Sequence, residues 1–367
     1  MLGVPARPAH RGIPDRSQPF PASSKLAGMN LQGLRNKLLI SMGLGVVVFA
    51  GLLAYGDFSE VVKSLEEFRW ELMPLVLLVT MGNYLLRFVK WEYYLRQIGV
   101  EGLDRLDSFL IYFSGLGMVI TPGKVGEWLK SYLLREVNGT PVTKSAPILL
   151  AERMTDSLAL LLIAGTGVIF FGRDTWPIVA IIAVVSAAAI LLSRHRRASY
   201  GLIGLLGRAP GVGRFVPHLE EFYESTYLLM DPRGVLLMTA LSVASWMFEV
   251  LAFHLTLVGL GVPNTADTML KAAFILPIST LAAAIFFTPG GLFVAEAGIT
   301  SLCRRLLDMS RSSAAVATLI IRIATLWFGV AVGLVAFAVL LRKMARQGKA
   351  LTMEPEPALA GGSDAAG

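Results

Sequence analysis

The sequence predicts an all-α polytopic membrane protein, with about six full spans plus two re-entrant, broken helical hairpins arranged as an inverted repeat. Three observations carry that expectation. The 367 residues are 54% hydrophobic and 16% charged, with mean hydropathy +0.63, whereas soluble domains hold about 25% charged residues. Apolar runs recur at the length a bilayer requires, about 20 residues. Finally, TPGKVGEWLK from 121 is echoed by TPGGLFVAEAG from 288, each interrupting an apolar stretch.

Residues 1–36 are rich in Pro and Arg, have no apolar face and read as a disordered basic arm; a signal peptide would need its apolar segment earlier. Met29 opens a more compact start, MNLQGLRNK, so a gene start placed too far upstream is the competing reading of that arm. The membrane domain is expected over 37–345, with repeat halves at about 73–171 and 233–341, and a disordered tail over 346–367. Within it, spans are expected at about 38–56, 73–95, 145–171, 175–193, 233–260 and 312–341. The regions 107–135 and 268–303 are the two broken ones. In DFSEVVKSLEEFRWE, Phe58, Val61, Val62, Leu65 and Phe68 share one helical face, as a helix lying in the interface needs. The stretch 200–230 reads either as a second interfacial helix or as a short helix packed on loops.

Charge gives the orientation. Arg35, Lys37, Arg96, Arg105, Arg135, Lys144, Arg194, Arg196, Arg197, Arg208, Arg214, Arg342, Lys343 and Arg346 fall on one side if each broken region enters and leaves on the same face. The positive-inside rule makes that side cytoplasmic, with both termini there, in the cell membrane. Arg304, Arg305 and Arg311 then face outward as exceptions. The net charge of +7 and pI of about 9.6 are accounted for by these loops and by anionic headgroups, so nucleic acid is not the expected partner. A membrane lipid is. Cys303 is the single cysteine, and His10, His195, His218 and His254 lack ligand spacing, so neither disulfide, metal nor cofactor is expected.

The doubling extends beyond the motifs. LLAERMTDSLALLL follows the first and LIIRIATLWFGVAV the second, placing Arg153 and Arg322 32 and 34 residues beyond Thr121 and Thr288. Asp156 corresponds to Thr325, while NYLLRFVKWEYYL, with Arg87 and Lys90, corresponds to SWMFEVLAFHL, with Glu249. The two leading spans stand three crossings apart and so run oppositely, the plan of transporters whose site lies near the midplane. Broken backbone at that depth survives only inside protein or beside water. Pro122 and Pro289 stop a helix, Gly123, Gly290 and Gly291 permit the turn, and Thr121 and Thr288 cap the helix that follows. Its free N–H groups suit an anion.

Lys124, Glu127, Lys130, Glu152, Arg153, Asp156, Glu249, Glu296 and Arg322 lie in or beside apolar segments. Each costs about 2.5–3.5 kcal/mol at a helix centre, so they should face inward, paired or solvated. Glu127 with Arg153 and Asp156 with Arg322 are the expected pairs, and buried ion pairs that only fix helix registry are the alternative reading of Arg153 and Asp156. Lys130 is expected to snorkel to the cytoplasmic interface, Lys124 to meet a phosphate, and Glu249 and His254 to join helices. GMVITPGKV is no P-loop, because Gly117 comes one position early and Val125 replaces the hydroxyl.

Together, TPGKVGEWLK, LLAERMTD, TPGGLFVAE and IIRIATLWFG resemble the lysylphosphatidylglycerol synthase transmembrane region, a flippase-like family, over about residues 35–345. The resemblance implies movement of a lipid between leaflets, and it implicates Gly123, Lys124, Gly126, Glu127, Lys130, Glu152, Arg153 and Asp156. From the second half it implicates Pro289, Gly290, Gly291, Glu296 and Arg322. The aminoacyl-transferring domain of the family's synthases is missing from the sequence, so no catalytic residue is expected. Phe293 stands where the family usually carries glycine. Three readings stay open: a flippase or scramblase for an anionic phospholipid or polyprenyl-phosphate-linked lipid; a membrane enzyme acting on a lipid carrier; and a non-catalytic subunit for a lipid-modifying glycosyl- or aminoacyl-transferase.

Overall fold

The computed structural model describes residues 31–120, 128–171, 176–208, 213–286 and 291–347, and these are helical with short connections. In chain order the helices are α1 (Leu31–Tyr55), α2 (Phe58–Glu66), α3 (Met73–Gln97), α4 (Arg105–Leu116), α5 (Leu129–Asn138), α6 (Val142–Ser145), α7 (Pro147–Phe171) and α8 (Trp176–Arg194). Then come α9 (Arg196–Gly207), α10 (Val216–Leu229), α11 (Pro232–Gly259), α12 (Ala266–Ile285), α13 (Val294–Leu306), α14 (Arg311–Arg322) and α15 (Phe328–Arg346). Helix α1 begins inside the stretch read as the basic arm.

Among the described residues, six segments are long and apolar enough to cross a bilayer: Trp70–Gln97, Val142–Phe171, Trp176–Arg194, Pro232–Gly259, Ala266–Ile285 and Arg311–Arg346. The count matches expectation, but the membership differs. Met42–Tyr55 meets Phe58–Glu66 at 102°, so this pair is a seventh span only if taken together. Ala266–Ile285, expected as one leg of a broken hairpin, is an unbroken 20-residue helix that runs through Pro277. A proline removes one backbone hydrogen bond, which neighbouring helices can make good inside a membrane bundle.

Local chemistry sets several boundaries. Asp231 accepts from the backbone of Arg233 and Gly234 at the start of α11, with Pro232 in the first turn. Thr265 and Ser310 cap α12 and α14 in the same way. Gly139, at φ 79°, ends α5 in the left-handed conformation.

The packing is reciprocal. Helices α3 and α11 lie antiparallel at the centre: Gly234, early in α11, stands against Tyr93 and Gln97 late in α3, while Arg69, just before α3, donates to the Val258 carbonyl at 2.8 Å. Helix α12 packs along α7, and α15 packs along α4. Lys343 Nζ reaches Asp107 Oδ1 at 2.7 Å at one end of the α4–α15 pair. At the other end, a Cβ built on Gly333 would come within 2.0 Å of the Gly117 nitrogen. Only glycine allows that crossing. Lipid tails are as apolar as leucine, so close fit of this kind, rather than exclusion from water, holds membrane helices together.

One core joins the two halves, with Ala159 and Ile163 of α7, Trp246 and Phe253 of α11 and Phe274 of α12. Another gathers Trp91, Tyr94, Phe113, Leu129 and Ile148 around α3, α4, α5 and α7. Arg304 donates to the Tyr55 hydroxyl at 2.7 Å, and Arg311 lies over the Tyr55 ring. These expected exceptions to the charge pattern thus gather at the end of α1 remote from its basic start. The apolar face of α2 divides: Val61 and Phe68 are buried with Val316 and Ile320, but Phe58 is 70% exposed. Residues 200–230 form α9, with Leu202, Leu205 and Leu206 exposed, and α10, packed on α6 and α7.

Candidate functional site

Helix α7 carries Glu152, Arg153 and Asp156 within about one turn. Helix α3 faces it with Arg87 and Lys90, three residues apart and therefore on one side. Asp156 is 7% exposed. Its Oδ2 accepts from Arg87 Nη2 at 2.8 Å, and its Oδ1 accepts from Lys90 Nζ at 2.7 Å and from Ser242 Oγ at 2.9 Å. Lys90, 2% exposed, also donates to Ser242 Oγ at 2.7 Å and to the Glu152 carbonyl at 3.2 Å. All three ammonium protons are used. The Arg87 guanidinium rests on the Trp246 ring, 4.8 Å from its centre.

A second pair lies alongside. Lys130, in the first turn of α5, donates to Glu152 Oε2 at 2.6 Å and stands 4.8 Å from the Trp91 ring and 5.3 Å from the Tyr112 ring. It is 8% exposed, so the expected snorkelling does not occur. Two aromatic faces and a carboxylate hold the ammonium inside, where cation–π attraction is strongest because water is excluded.

These groups line a cavity of about 60 Å³ with Arg87, Lys90, Lys130 and Arg153 as cations and Glu152 and Asp156 as anions. Among the described residues, cations outnumber carboxylates in this lining. At about 10–15 Å³ per water, the space suits a small polar head rather than an acyl chain.

The second half holds its own pair. Glu296, 1% exposed in the first turn of α13, accepts from Arg322 Nε at 2.6 Å on Oε1, while its Oε2 is buried without a hydrogen-bond partner. The negative charge also suits the positive end of the α13 dipole. Arg322 closes α14, and a π-helical turn over Ile323–Trp327 follows before α15. Such bulges are frequent at functional sites. The Tyr84 hydroxyl of α3 donates to the Thr325 carbonyl in that turn.

The expected Asp156–Arg322 pair is therefore wrong. Asp156 is taken by Arg87 and Lys90, and Arg322 by Glu296, each partner lying within its own half. Thr121, Pro122, Gly123, Lys124, Gly126 and Glu127 lie outside the described residues, as do Thr288, Pro289 and Gly290; the expected Glu127–Arg153 pair falls there too. Helix α13 does not start under Thr288: its N-cap is Phe293, at φ 71° and ψ −53°, preceded by Gly291 at φ 72°. Likewise Trp128 is the N-cap of α5. His254 Nε2 meets Asn264 Oδ1 at 2.9 Å in the turn after its own helix.

Arg87, Lys90, Ser242 and the aromatic walls escaped assignment from sequence. The signal for the first two was present, as cations at i and i+3 in an otherwise apolar run; Ser242 and Tyr112 gave none.

This arrangement defines a class: an α-helical membrane protein with a small, cation-rich cavity between its spans. The chain belongs to the family of the lysylphosphatidylglycerol synthase TM region, whose description it matches over residues 42–333. Among curated relatives it is 23% identical to glycosyltransferase AglD of Haloferax volcanii, across 78% of this chain and 51% of that protein. It is 22% identical to a UPF0104 membrane protein of Methanothermobacter thermautotrophicus, across 71% of this chain and 80% of the relative. The chain thus spans about half the length of the glycosyltransferase.

Proposed function

We propose that the protein is a lipid transporter of flippase or scramblase type, moving an anionic phospholipid or a polyprenyl-phosphate-linked lipid between leaflets of the cell membrane with both termini cytoplasmic. The observation that carries this reading is the gathering of Arg87, Lys90, Lys130 and Arg153 around one small intramembrane cavity. Four cations gathered around a space between the spans suit an anionic group, and ionisable residues at such depth mark functional sites. Arg153 and Lys130 supply charge-assisted hydrogen bonds to a phosphate, each worth about 1.5–3 kcal/mol. Lys124 and the proline-glycine tips would add to them from outside the described residues. With the head in the cavity and the acyl chains left in lipid, phosphate need not cross hydrocarbon.

The antiparallel α3–α11 pair, with α12 on α7 mirrored by α15 on α4, supports an inverted repeat. On this reading the broken regions are α4 with α5, and α12 with α13. The second then consists of a full span and a shorter return, which leaves the parity of the halves unchanged. A second reading, a membrane subunit serving or containing a lipid-modifying transferase, draws on the glycosyltransferase name of one relative.

The test is reconstitution into vesicles carrying fluorescent phosphatidylglycerol, phosphatidylcholine or a polyprenyl-phosphate lipid in one leaflet. Faster leaflet exchange of the anionic lipids, reduced about 10-fold or more in Arg153→Ala, is expected. Vesicles no faster than empty ones across all three lipids would end the transport reading and leave the subunit reading in place.

A further inference from the structure

Glu249 lies inside the α11 span and forms no hydrogen bond or ion pair among the described residues. An intramembrane carboxyl in that position is costly and is a functional site by default. Its surroundings follow from the register. Gly82 of α3 stands against Phe248 and Asn83 donates to the Ser245 carbonyl at 2.8 Å, which sets Glu249 beside the turn holding Tyr84 and about one turn from Arg87. Tyr84 in turn bonds Thr325, three residues past Arg322. That register brings Arg87 and, through Tyr84 and Thr325, Arg322 into the neighbourhood of Glu249, and the charges of both act on it. Each guanidinium already holds one carboxylate, Asp156 and Glu296 respectively.

The groups facing it from the packed elements are Tyr84 and Arg87 of α3, Asp156 of α7 and Arg322 of α14. The charged residues of α12, Asp267 and Lys271, pair with each other at that helix's far end, and Glu71 of the turn before α3 lies at the far end of α11.

We infer that Glu249 binds and releases a proton in step with the anionic ligand, so that a proton gradient drives the transport proposed above. Its carboxylate, when ionised, competes with Asp156 for Arg87 and with Glu296 for Arg322. A proton adding to that oxygen frees both guanidiniums from the competition, and no other bond forms or breaks. An anion entering the cavity beside Arg87 has the same sign as ionised Glu249, so proton and headgroup bind cooperatively. By linkage the effect is reciprocal, with couplings of about 5–150-fold typical. Lipid and proton then move in the same direction.

The inference rests on the lipid reading, but its first test does not need transport. Phosphatidylglycerol is added to the purified protein in weakly buffered neutral detergent with a pH indicator, and about one proton per chain should be taken up. Glu249→Gln should take up none, while Glu249→Asp should retain the uptake. Wild-type protein that takes up no proton overturns the inference whether or not the glutamine variant folds, as does equal uptake by Glu249→Gln. In vesicles, a pH gradient should speed anionic lipid movement about fivefold or more along the proton's direction in wild type. Glu249→Gln should ignore the gradient, and a wild type equally indifferent to it also overturns the coupling. Proton uptake without any lipid movement would sink the transport reading while leaving Glu249 as a ligand-linked proton site.

Discussion

Replacing Asp156 with Asn separates the structural from the functional share of the charged cluster. The carboxylate accepts three hydrogen bonds, two of them from the cations Arg87 and Lys90 at 2.8 and 2.7 Å. Lys90 is 2% exposed and cannot reach water by rotating. Removing one partner of a buried ion pair costs about 3–5 kcal/mol, because the remaining charge stays buried without compensation. Asn keeps the volume and one acceptor, so Asp156→Asn belongs near 3 kcal/mol and Asp156→Ala near 5. The triple change Arg87→Met, Lys90→Met, Asp156→Leu removes every charge together and should regain most of the loss, since apolar replacements of buried ion clusters are often neutral or better. It should nonetheless abolish lipid movement. Equilibrium unfolding by added SDS in mixed micelles gives the stabilities, and vesicle exchange gives the activity. An Asp156→Asn protein as stable as wild type would refute the reasoning, as would a triple variant that still transports.

Three further outcomes follow from particular contacts. Gly333→Ala drives a methyl to 2.0–2.8 Å from backbone atoms of Gly117 and Phe113, and should cost about 3 kcal/mol or more by separating α4 from α15; Gly51→Ala, with open space around it, should change stability by less than about 1 kcal/mol in the same unfolding assay. Phe293 adopts φ 71° and ψ −53°, near the γ-turn that strains any residue but glycine, and is 46% exposed. Phe293→Gly should therefore raise stability by about 1 kcal/mol, the relief of about 1–3 less the entropy of glycine, and an unchanged or lower unfolding midpoint would contradict this. Glu152→Gln leaves Lys130 on its two aromatic rings and makes the cavity lining more positive by one charge. Calorimetric titration with glycerol phosphate should show affinity rising several-fold, about 1 kcal/mol, and a weaker affinity would count against an anion site.

Much of this architecture was legible in the sequence because a bilayer leaves little freedom: apolar length and charge position alone located most of the spans. Two kinds of feature were not legible. That α12 is long enough to cross a bilayer by itself was hidden because 268–303 was read as one hairpin broken at 288–291, and neither leg was counted as a full span. The pairing of charges was also hidden. Asp156 and Arg322 lie in segments that the sequence suggests as counterparts, and a bond between them was expected, yet each found a partner on α3 or α13. Spacing along one helix says which face a residue shares; it does not say which helix supplies the neighbour. Phe293 is the converse case. Its departure from the glycine expected by resemblance was visible from the residues, and the positive φ supplies the physical reason glycine belongs there.

The two halves agree in packing and disagree in charge, and the disagreement bears on mechanism. Among the described residues, the first half lines its cavity with four cations and two carboxylates. In the second, Arg322 stands against Glu296 and Glu249, one positive charge against two negative when both are ionised. A fully symmetric inverted repeat would offer an anion equivalent resting places from either side. On the transport reading, an anion would meet mostly cations in the first half and mostly carboxylates in the second, so the two faces of the cycle would be unequal in energy. Neutralising Glu249 would lessen that difference, because its charge acts on Arg87 and Arg322. On the transport reading, the repeat supplies two interconvertible arrangements, and the state of one carboxyl between Arg87 and Arg322 selects which of them favours the lipid headgroup.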